Sequence, residues 1–248
     1  MIPKVIHYCW FGRSPLPQLA LKCIESWRRF FPDYEIKEWN EDNFDVNIIT
    51  YTKEAYQVKK YAFVSDYARF WILYNYGGIY FDTDVEVIKP MNDILEKGAF
   101  MGCECDGDNT VNPGLGIACA PGLGIYKELL DLYANLHIIE ENKKLNLTTI
   151  VKYTTNVLYK HGLKNGNMIQ FIAGIYIYPK EYFCPKSYGA GKMDVTDNTY
   201  CIHHFAGSWL PYKGRIKRKI QYMIGERWND RIRRMKGLLR KYHNEKIS

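Results

Sequence analysis

Several features common in exported or membrane proteins are missing from this chain of 248 residues. Its apolar residues never run unbroken for the roughly 18 positions that a membrane-spanning helix requires. The first residues, MIPKVIHYCWFGR, lack the basic start, long apolar stretch and cleavage site of a secretion signal. No repeat or linker interrupts the first 210 residues. We therefore expect a globular, cytoplasmic protein with one large core.

Paired cysteine motifs are also absent. The seven cysteines form no CxxC pair, and Cys103 and Cys105 form only a CxC without a second ligand pair nearby. An odd number of scattered cysteines in a chain that is not exported indicates reduced thiols. We expect neither disulfide bonds nor a zinc site.

Acidic residues are scarce at the C-terminal end. Residues 213–248 hold 13 Lys or Arg and 3 Asp or Glu, a charge of +10; since the whole chain carries +7, residues 1–212 sum to −3. The apolar residues of this tail recur about every 3.7 positions, close to the helical period. We predict two parts: a folded domain at 1–212 and a basic amphipathic helical tail at 213–248.

The first third of the chain alternates between strand and helix patterns. Residues 4–10 and 34–40 read as strands, with helical apolar spacing between them, and helical spacing returns from about residue 53 to residue 76. Gly77 and Gly78 end that helix. A β-α-β beginning favours an α/β fold around a parallel sheet.

Two aspartates lie inside the apolar stretch YGGIYFDTDVEVIKP, residues 76–90. If this is one strand, Asp82 and Asp84 point to the same side as Tyr80 and Glu86. Two neighbouring carboxylates repel each other unless a cation compensates them. Oxygen ligands suit Mg²⁺ or Mn²⁺, and such ions carry the phosphates of substrates. The alternative is a solvated turn, which is common for an isolated DxD.

A second polar pair lies on the preceding helix. Asp66 and Arg69, in SDYAR, are three residues apart and share one helix face, where they can pair or bind hydroxyl groups together. An ordinary surface salt bridge is the alternative.

Three segments, IPKVIHYCWFG, SDYARFWILYNYGGIYFDTDVEV and IHHFAGSW, resemble the family 32 glycosyltransferases. This family includes enzymes of bacterial capsular-polysaccharide synthesis and is related to the clostridial glycosylating toxins. The resemblance covers about residues 1–210. It implies a GT-A fold with a Rossmann-like mixed sheet flanked by helices. It also implies a nucleotide-sugar donor, UDP in the first instance, Mn²⁺ or Mg²⁺, and retention of anomeric configuration.

The resemblance also implies roles for individual residues. Asp84 matches the direct metal ligand, and Asp82 matches a carboxylate that meets donor hydroxyls and, through water, the ion. His204 is the preferred third ligand and His203 the alternative, because neighbouring residues on an extended segment point in opposite directions. The donor is bound by Trp10, Asp66, Arg69, Tyr80, Asp82 and Ser208. The catalytic residues are Asp82, Asp84, Arg69 and Trp209, the last near the leaving oxygen. We interpret Asn112, in VNPGLG, as a turn residue, because an asparagine before proline is usually turn chemistry; a position near the sugar or the acceptor is the alternative.

The implied acceptor is a saccharide of capsule, O-antigen or another surface polysaccharide, including polyprenyl-linked forms. The basic tail, with apolar residues such as Trp228 beside its cations, suits the anionic inner face of the cell membrane better than nucleic acid. Alternatively, the tail is a helix packed on the domain with a solvated basic face.

Two other functions compete with this interpretation. The string DTDVEV matches the DxDx[TV] motif of haloacid dehalogenase-type phosphatases, but the later GDxxxD-like segment of those enzymes is absent. The second is a non-enzymatic protein that binds membrane or nucleic acid through its basic tail.

Overall fold

The computed structural model describes residues 1–105, 109–186 and 193–207. The described residues up to Pro185, together with those from Val195 onwards, form one compact unit. Its strands are β1 (Val5–Cys9), β2 (Glu35–Trp39), β3 (Gly78–Tyr80), β4 (Val85–Val87), β5 (Phe100–Gly102), β6 (Ile117–Cys119), β7 (Gln170–Ile172), β8 (Ile175–Tyr178) and β9 (Cys201–His203). Its helices are α1 (Gln18–Phe30), α2 (Thr50–Gln57), α3 (Tyr61–Tyr76), α4 (Asn92–Lys97), α5 (Gly124–Ala134), α6 (Ile150–Lys160) and α7 (Lys180–Phe183).

Seven of the strands form one mixed sheet in the order β2-β1-β3-β6-β5-β8-β7. Strand β1 pairs in parallel with β2 and β3, and β5 pairs in parallel with β8, whereas β3-β6, β6-β5 and β8-β7 are antiparallel. The remaining strands, β4 and β9, form a separate antiparallel pair. The predicted α/β fold with a mixed sheet and flanking helices is confirmed.

Two apolar clusters cover the two faces of the large sheet. Side chains alternate along each strand, so Ile79 packs with the cluster that includes α1, while Tyr80 packs with the cluster that includes α3 and α5. The same alternation sends Ile117 and Ala118 of β6 to opposite faces. Because both faces are covered, the central strands are almost wholly buried.

The stretch at residues 76–90 is not the single strand that its sequence predicts. Strand β3 ends at Tyr80, and β4, which begins at Val85, belongs to the other sheet. The Val85 amide donates to the Asp82 carbonyl at 3.0 Å, which closes a turn over the two aspartates. Apolar alternation alone did not reveal this turn, because the residues on both sides of it are buried.

The helical spacing from residue 53 to residue 76 belongs to two helices. Helix α2 ends where Lys59 takes a left-handed φ of 57° and the Lys60 amide donates to the Ala55 carbonyl at 2.8 Å. This is the Schellman type of helix end, with lysine where glycine is usual. The predicted stop after Tyr76 is confirmed: Gly77 has a φ of 64°, and a Cβ there would lie 2.7 Å from Pro121 Cδ.

The predicted tail, residues 213–248, lies outside the described residues, as do Ser208 and Trp209, so the boundary at residue 212 stays a prediction. None of the helices in the described ranges combines the length and apolar character that crossing a membrane requires.

Candidate active site

The two aspartates of the DxD lie where β3 leaves the large sheet. The chain passes from Tyr80 into the turn that carries Asp82 and Asp84, and then enters β4. Strand β4 packs against α1, and the Trp27 indole donates to the Val85 carbonyl at 2.8 Å. The turn is therefore held at both ends, so the two carboxylates have fixed positions.

The third polar group of the site comes from strand β9. Val85 is paired with His203 in the β4-β9 ladder, and His203 Nε2 lies 3.2 Å from Asp84 Oδ1. The other Asp84 oxygen accepts the Ala206 amide at 2.7 Å. The segment after β9 therefore lies against Asp84.

The structure corrects the choice between the two histidines. His203, and not the preferred His204, lies beside the aspartates, while His204 Nε2 lies 2.8 Å from Glu86 Oε2. The reason is strand alternation, which sends adjacent side chains to opposite sides. One ligand atom from each of Asp82, Asp84 and His203 lies within 4.8 Å of the others.

The side chains of Asp82, Asp84 and His203 are suitable ligands for a divalent cation. Two carboxylates and an imidazole are ligands that Mn²⁺ accepts, and Mg²⁺ is compatible with the carboxylates. The buried His203 Nδ1 has no hydrogen-bond partner, so one ring nitrogen is not committed to the fold.

Arg69 joins helix α3 to the DxD turn. Its Nη2 lies 3.2 Å from Asp66 Oδ1 and 3.1 Å from Asp82 Oδ1, and its Nε donates to the Ser65 carbonyl at 3.2 Å. The guanidinium carbon lies 4.7 Å from the centre of the Tyr80 ring. The predicted pairing on one helix face is present, but it is buried and includes Asp82, so it is not a surface salt bridge.

One nitrogen of this guanidinium remains available. Arg69 is 3% exposed, and its Nη1 has no hydrogen-bond partner within the protein. A buried N–H without a partner is unfavourable unless a water or a ligand accepts from it. The Tyr80 hydroxyl donates to Asp82 Oδ1 at 3.2 Å and so holds the carboxylate toward the arginine.

The pKa values of two carboxyl groups at the site shift in opposite directions: that of Asp84 is lowered and that of Asp66 is raised. Burial would raise the pKa of Asp84, but the charge of His203 and hydrogen bonds from His203 and Ala206 outweigh it and lower that pKa to about 2. Burial would lower the pKa of His203, but Asp84 raises it overall. Burial raises the pKa of Asp66 to about 7, although Arg69 opposes this. Asp84 is thus a permanent carboxylate, the state that a metal ligand requires.

The loop that contains Asn112 and Gly114 lies against Asp82. A Cβ at Gly114 would overlap Asp82 Oδ2 and would lie 3.0 Å from Asn112 Oδ1. Asn112 is buried; its Oδ1 accepts the Gly114 amide at 2.7 Å, and its Nδ2 donates to Glu104 at 2.7 Å. The interpretation of Asn112 as a turn residue fits the first bond, but sequence reasoning missed the contact of this loop with Asp82. The PG dipeptide in VNPGLG marks the turn and gives no sign of that contact.

Trp10 directly follows β1 and lies at the end of the sheet where β3 also ends. Strands β1 and β3 run in parallel, and His7 is paired with Tyr80. The Trp10 indole donates to the Ser14 carbonyl at 2.6 Å, and the side chain is partly exposed. The structure thus places Trp10 at the same end of the sheet as the DxD turn, and its contact with a donor base stays a prediction.

Comparison with known proteins agrees with this geometry. Residues 17–101 match the family described as "Glycosyltransferase sugar-binding region containing DXD motif". That segment contains Asp66, Arg69, Tyr80, Asp82 and Asp84, whereas His203 lies beyond it. This part of the chain is therefore similar to the DXD-type sugar-binding region of glycosyltransferases.

Two curated relatives match part of the chain. Inositol phosphoceramide mannosyltransferase 1 of Schizosaccharomyces pombe is 31% identical over 111 residues, 40% of this chain and 33% of that protein. The uncharacterized glycosyltransferase L373 of Acanthamoeba polyphaga mimivirus is 33% identical over 106 residues, 40% of this chain and 42% of that protein. The chain thus spans less than half the length of these relatives.

One solved structure has a similar fold. The PaToxG glycosyltransferase matches with a TM-score of 0.50 and 21% sequence identity, over 64% of this chain and 69% of that one. At this identity the likeness concerns the fold, which this chain shares with a sugar-transferring enzyme.

Proposed function

We propose that this protein is a metal-dependent glycosyltransferase that moves a sugar from a nucleotide sugar to a saccharide acceptor. The observation that carries the proposal is the cluster of Asp82, Asp84 and His203 beside the buried Arg69. Of these residues, Arg69, Asp82 and Asp84 fall in the segment that matches the DXD sugar-binding region. A phosphatase would not need an imidazole facing the DxD, and Asp82 follows the third strand of this fold instead of the first.

Asp82, Asp84 and His203 would hold the cation, Mn²⁺ or Mg²⁺. When bound, such an ion acts as a Lewis acid for the negative charge on a leaving diphosphate. The protein contributes a fixed set of ligands: Asp84 is held by the Ala206 amide, and Asp82 is held by Tyr80 and Arg69.

Asp66, Arg69 and Asp82 would orient the sugar. Carboxylates accept hydrogen bonds from sugar hydroxyls, and the free Nη1 of Arg69 can donate one. In the reaction, the bond between the anomeric carbon and the phosphate oxygen breaks, and a bond from that carbon to the acceptor oxygen forms. The acceptor proton passes to the leaving diphosphate. Correct orientation alone contributes several kcal/mol to such a reaction.

The finer parts of the proposal rest on the resemblance to family 32. They are a UDP-linked donor, retention of configuration, and an acceptor in capsule, O-antigen or other surface polysaccharide, including polyprenyl-linked forms. The name of one relative, inositol phosphoceramide mannosyltransferase, supports hexose transfer to a lipid-attached acceptor. A cytoplasmic protein whose basic tail docks on the inner membrane face would meet such acceptors.

Donor hydrolysis tests the proposal. UDP-glucose, UDP-galactose, UDP-N-acetylglucosamine and GDP-mannose are incubated with the protein, with Mn²⁺, with Mg²⁺ and with chelator, and release of the nucleotide is measured. We expect release from one donor that depends on the metal. Asp84→Asn should lower it at least about 100-fold, while Asp33→Asn, at an exposed position, should not. Metal-independent release, or none from any donor together with no calorimetric Mn²⁺ binding, would reject the proposal.

A further inference from the structure

The edge of the large sheet farthest from β2 carries exposed apolar side chains. Strand β7 is the last strand of the sheet. Met168 and Phe171 are 64% and 62% exposed, and Ile169 is 40% exposed. Three large apolar side chains within four positions leave more apolar surface in contact with water than single surface residues do.

These side chains project from β7 and from the loop just before it, which is closed by hydrogen bonds. The Lys164 amide donates to Gln170 Oε1 at 2.9 Å, and Gln170 Nε2 donates back to the Lys164 carbonyl at 2.8 Å. Leu163, just before the loop, is buried, and the Phe171 ring lies 4.8 Å from the Tyr176 ring. Because the backbone is closed in this way, the exposure of the three side chains does not come from a loose chain end.

The charge of the chain segment that carries this edge is one-sided along the sequence, although Glu128, from outside the segment, contacts His161 within it at 2.6 Å. No acidic residue occurs between Glu141 and Glu181, and we call residues 142–180 the acid-free segment. It contains six lysines: Lys143, Lys144, Lys152, Lys160, Lys164 and Lys180. Since residues 1–212 sum to −3, the rest of that part of the chain carries −9.

The exposed apolar residues concentrate in the same segment. Of the twelve large apolar side chains that are exposed in the described part of the chain, six fall within it. They are Leu145, Leu147, Tyr159, Met168, Ile169 and Phe171. A segment that combines exposed apolar side chains with lysines and has no acidic residue of its own is typical of surfaces that bind anionic lipid.

We propose that this edge of the sheet docks on an anionic lipid surface, with Met168, Ile169 and Phe171 inserted between the headgroups and lysines of the acid-free segment against them. A second copy of the chain is a poorer occupant, because pairing two β7 edges would bring two positive segments together. Three apolar side chains also fall well short of the roughly 20 residues a side of a standard protein interface.

The first test is a local one, because the tail, residues 213–248, would also be attracted to anionic lipid. Hydrogen–deuterium exchange of the full chain is measured with vesicles of phosphatidylcholine containing phosphatidylglycerol, and with phosphatidylcholine alone. We expect slower exchange at residues 165–172 with the anionic vesicles only. Unchanged exchange there would overturn the proposal. So would protection without vesicles that grows with protein concentration, since it would indicate a second copy.

The second test separates insertion from electrostatic attraction. At 0.5 M salt the Debye length falls to about 4 Å, so attraction of the lysines to the surface is largely screened. The triple variant Met168→Ser, Ile169→Ser, Phe171→Ser should then lose at least about fivefold in vesicle-bound fraction relative to wild type.

The control is Leu21→Ser, Ile48→Ser, Val195→Ser, which changes exposed apolar residues outside the acid-free segment. It should keep the wild-type bound fraction, and equal losses in the two variants would overturn the proposal. Near-UV circular dichroism establishes that both variants are folded. Donor hydrolysis without vesicles should be unchanged in both, which keeps this test separate from that of the proposed enzyme activity.

Discussion

Arg69 Nη2 lies 3.1 Å from Asp82 Oδ1, so a buried ion pair connects helix α3 to the turn that carries the DxD. The same nitrogen lies 3.2 Å from Asp66. One cation therefore compensates the buried Asp66 and the partly exposed Asp82, and its remaining Nη1 faces no protein acceptor. The site depends on the shape of this guanidinium as well as on its charge.

Arg69→Lys should impair the site while keeping the charge. A lysine has one ammonium group and cannot reach the Ser65 carbonyl, Asp66 and Asp82 in the geometry of the planar guanidinium. Loss of one or two charge-assisted hydrogen bonds corresponds to about a 10- to 100-fold fall in kcat/KM for donor hydrolysis. Arg28→Lys, at an exposed pair with Glu25, is the matched control. Full activity in Arg69→Lys would show that the charge alone suffices.

His203→Ala and His204→Ala should have different effects on metal binding. His203 lies beside Asp84 and should contribute a ligand, so its removal should weaken Mn²⁺ binding at least about tenfold in calorimetry. His204 lies beside Glu86, and its removal should leave Mn²⁺ affinity within about threefold of wild type. The opposite ranking of the two variants would restore His204 as the ligand.

Gly114→Ala should damage the site but not the fold. The added Cβ overlaps Asp82 Oδ2, and Gly114 has an ordinary φ, so the cheapest relief is rotation of the Asp82 side chain. Because small displacements of a reacting group are costly, donor hydrolysis should fall about 10- to 100-fold. Thermal unfolding should shift by only a few degrees.

Gly124→Ala is the control for this variant, since nothing lies within 4 Å of a Cβ there. A large loss of stability in Gly114→Ala with unchanged activity per folded molecule would contradict the assignment of this loop to the site.

His7 should make the free energy of unfolding depend on pH. Burial lowers the pKa of His7 from 6.5 to about 4, even though a hydrogen bond to the Gly77 carbonyl acts in the opposite direction. The unfolded state therefore binds the proton first, and stability that is complete above pH 6.5 is lost as the pH falls toward 4. The full effect is about 3 kcal/mol.

Asp66 has the opposite effect on the pH dependence of stability. Burial raises its pKa to about 7, so the folded state binds a proton first and gains stability as the pH falls. The measurement is therefore a difference: urea unfolding of wild type and of His7→Gln between pH 4 and 7. Asp66 contributes equally to both proteins, so the wild type should lose more stability on acidification. Parallel pH curves would show that His7 does not carry the effect.

Much of the site could be predicted from single sequence segments. Asp66 and Arg69 are three apart on one helix, so local geometry alone placed that pair. Asp82 and Asp84 are close because they are two apart in the chain, but they lie in a turn and not in the strand that the alternation assumed. The contact between the two pairs depends on how α3 packs on β3. Family resemblance supplied that relationship, and apolar spacing could not have done so.

Other features of the fold and the site could not be predicted, because the same sequence pattern is compatible with more than one local structure. The break after Tyr80 lies between two buried strands, and buried residues on both sides of a turn look like one long strand. The helix end at Lys59 uses a non-glycine residue in the left-handed region, so no glycine marks it. The choice of His203 over His204 depended on the register of β9 against β4, which is a long-range property.

The pairing of β4 with β9 also has a consequence for biosynthesis. The Asp84 carboxylate and the Ala206 amide that holds it are 122 residues apart along the chain. During translation, the ribosome therefore releases the DxD long before the strand that brings His203 beside it. If Asp82, Asp84 and His203 hold the proposed cation, a nascent or prematurely terminated chain would lack that site and would not consume activated sugar.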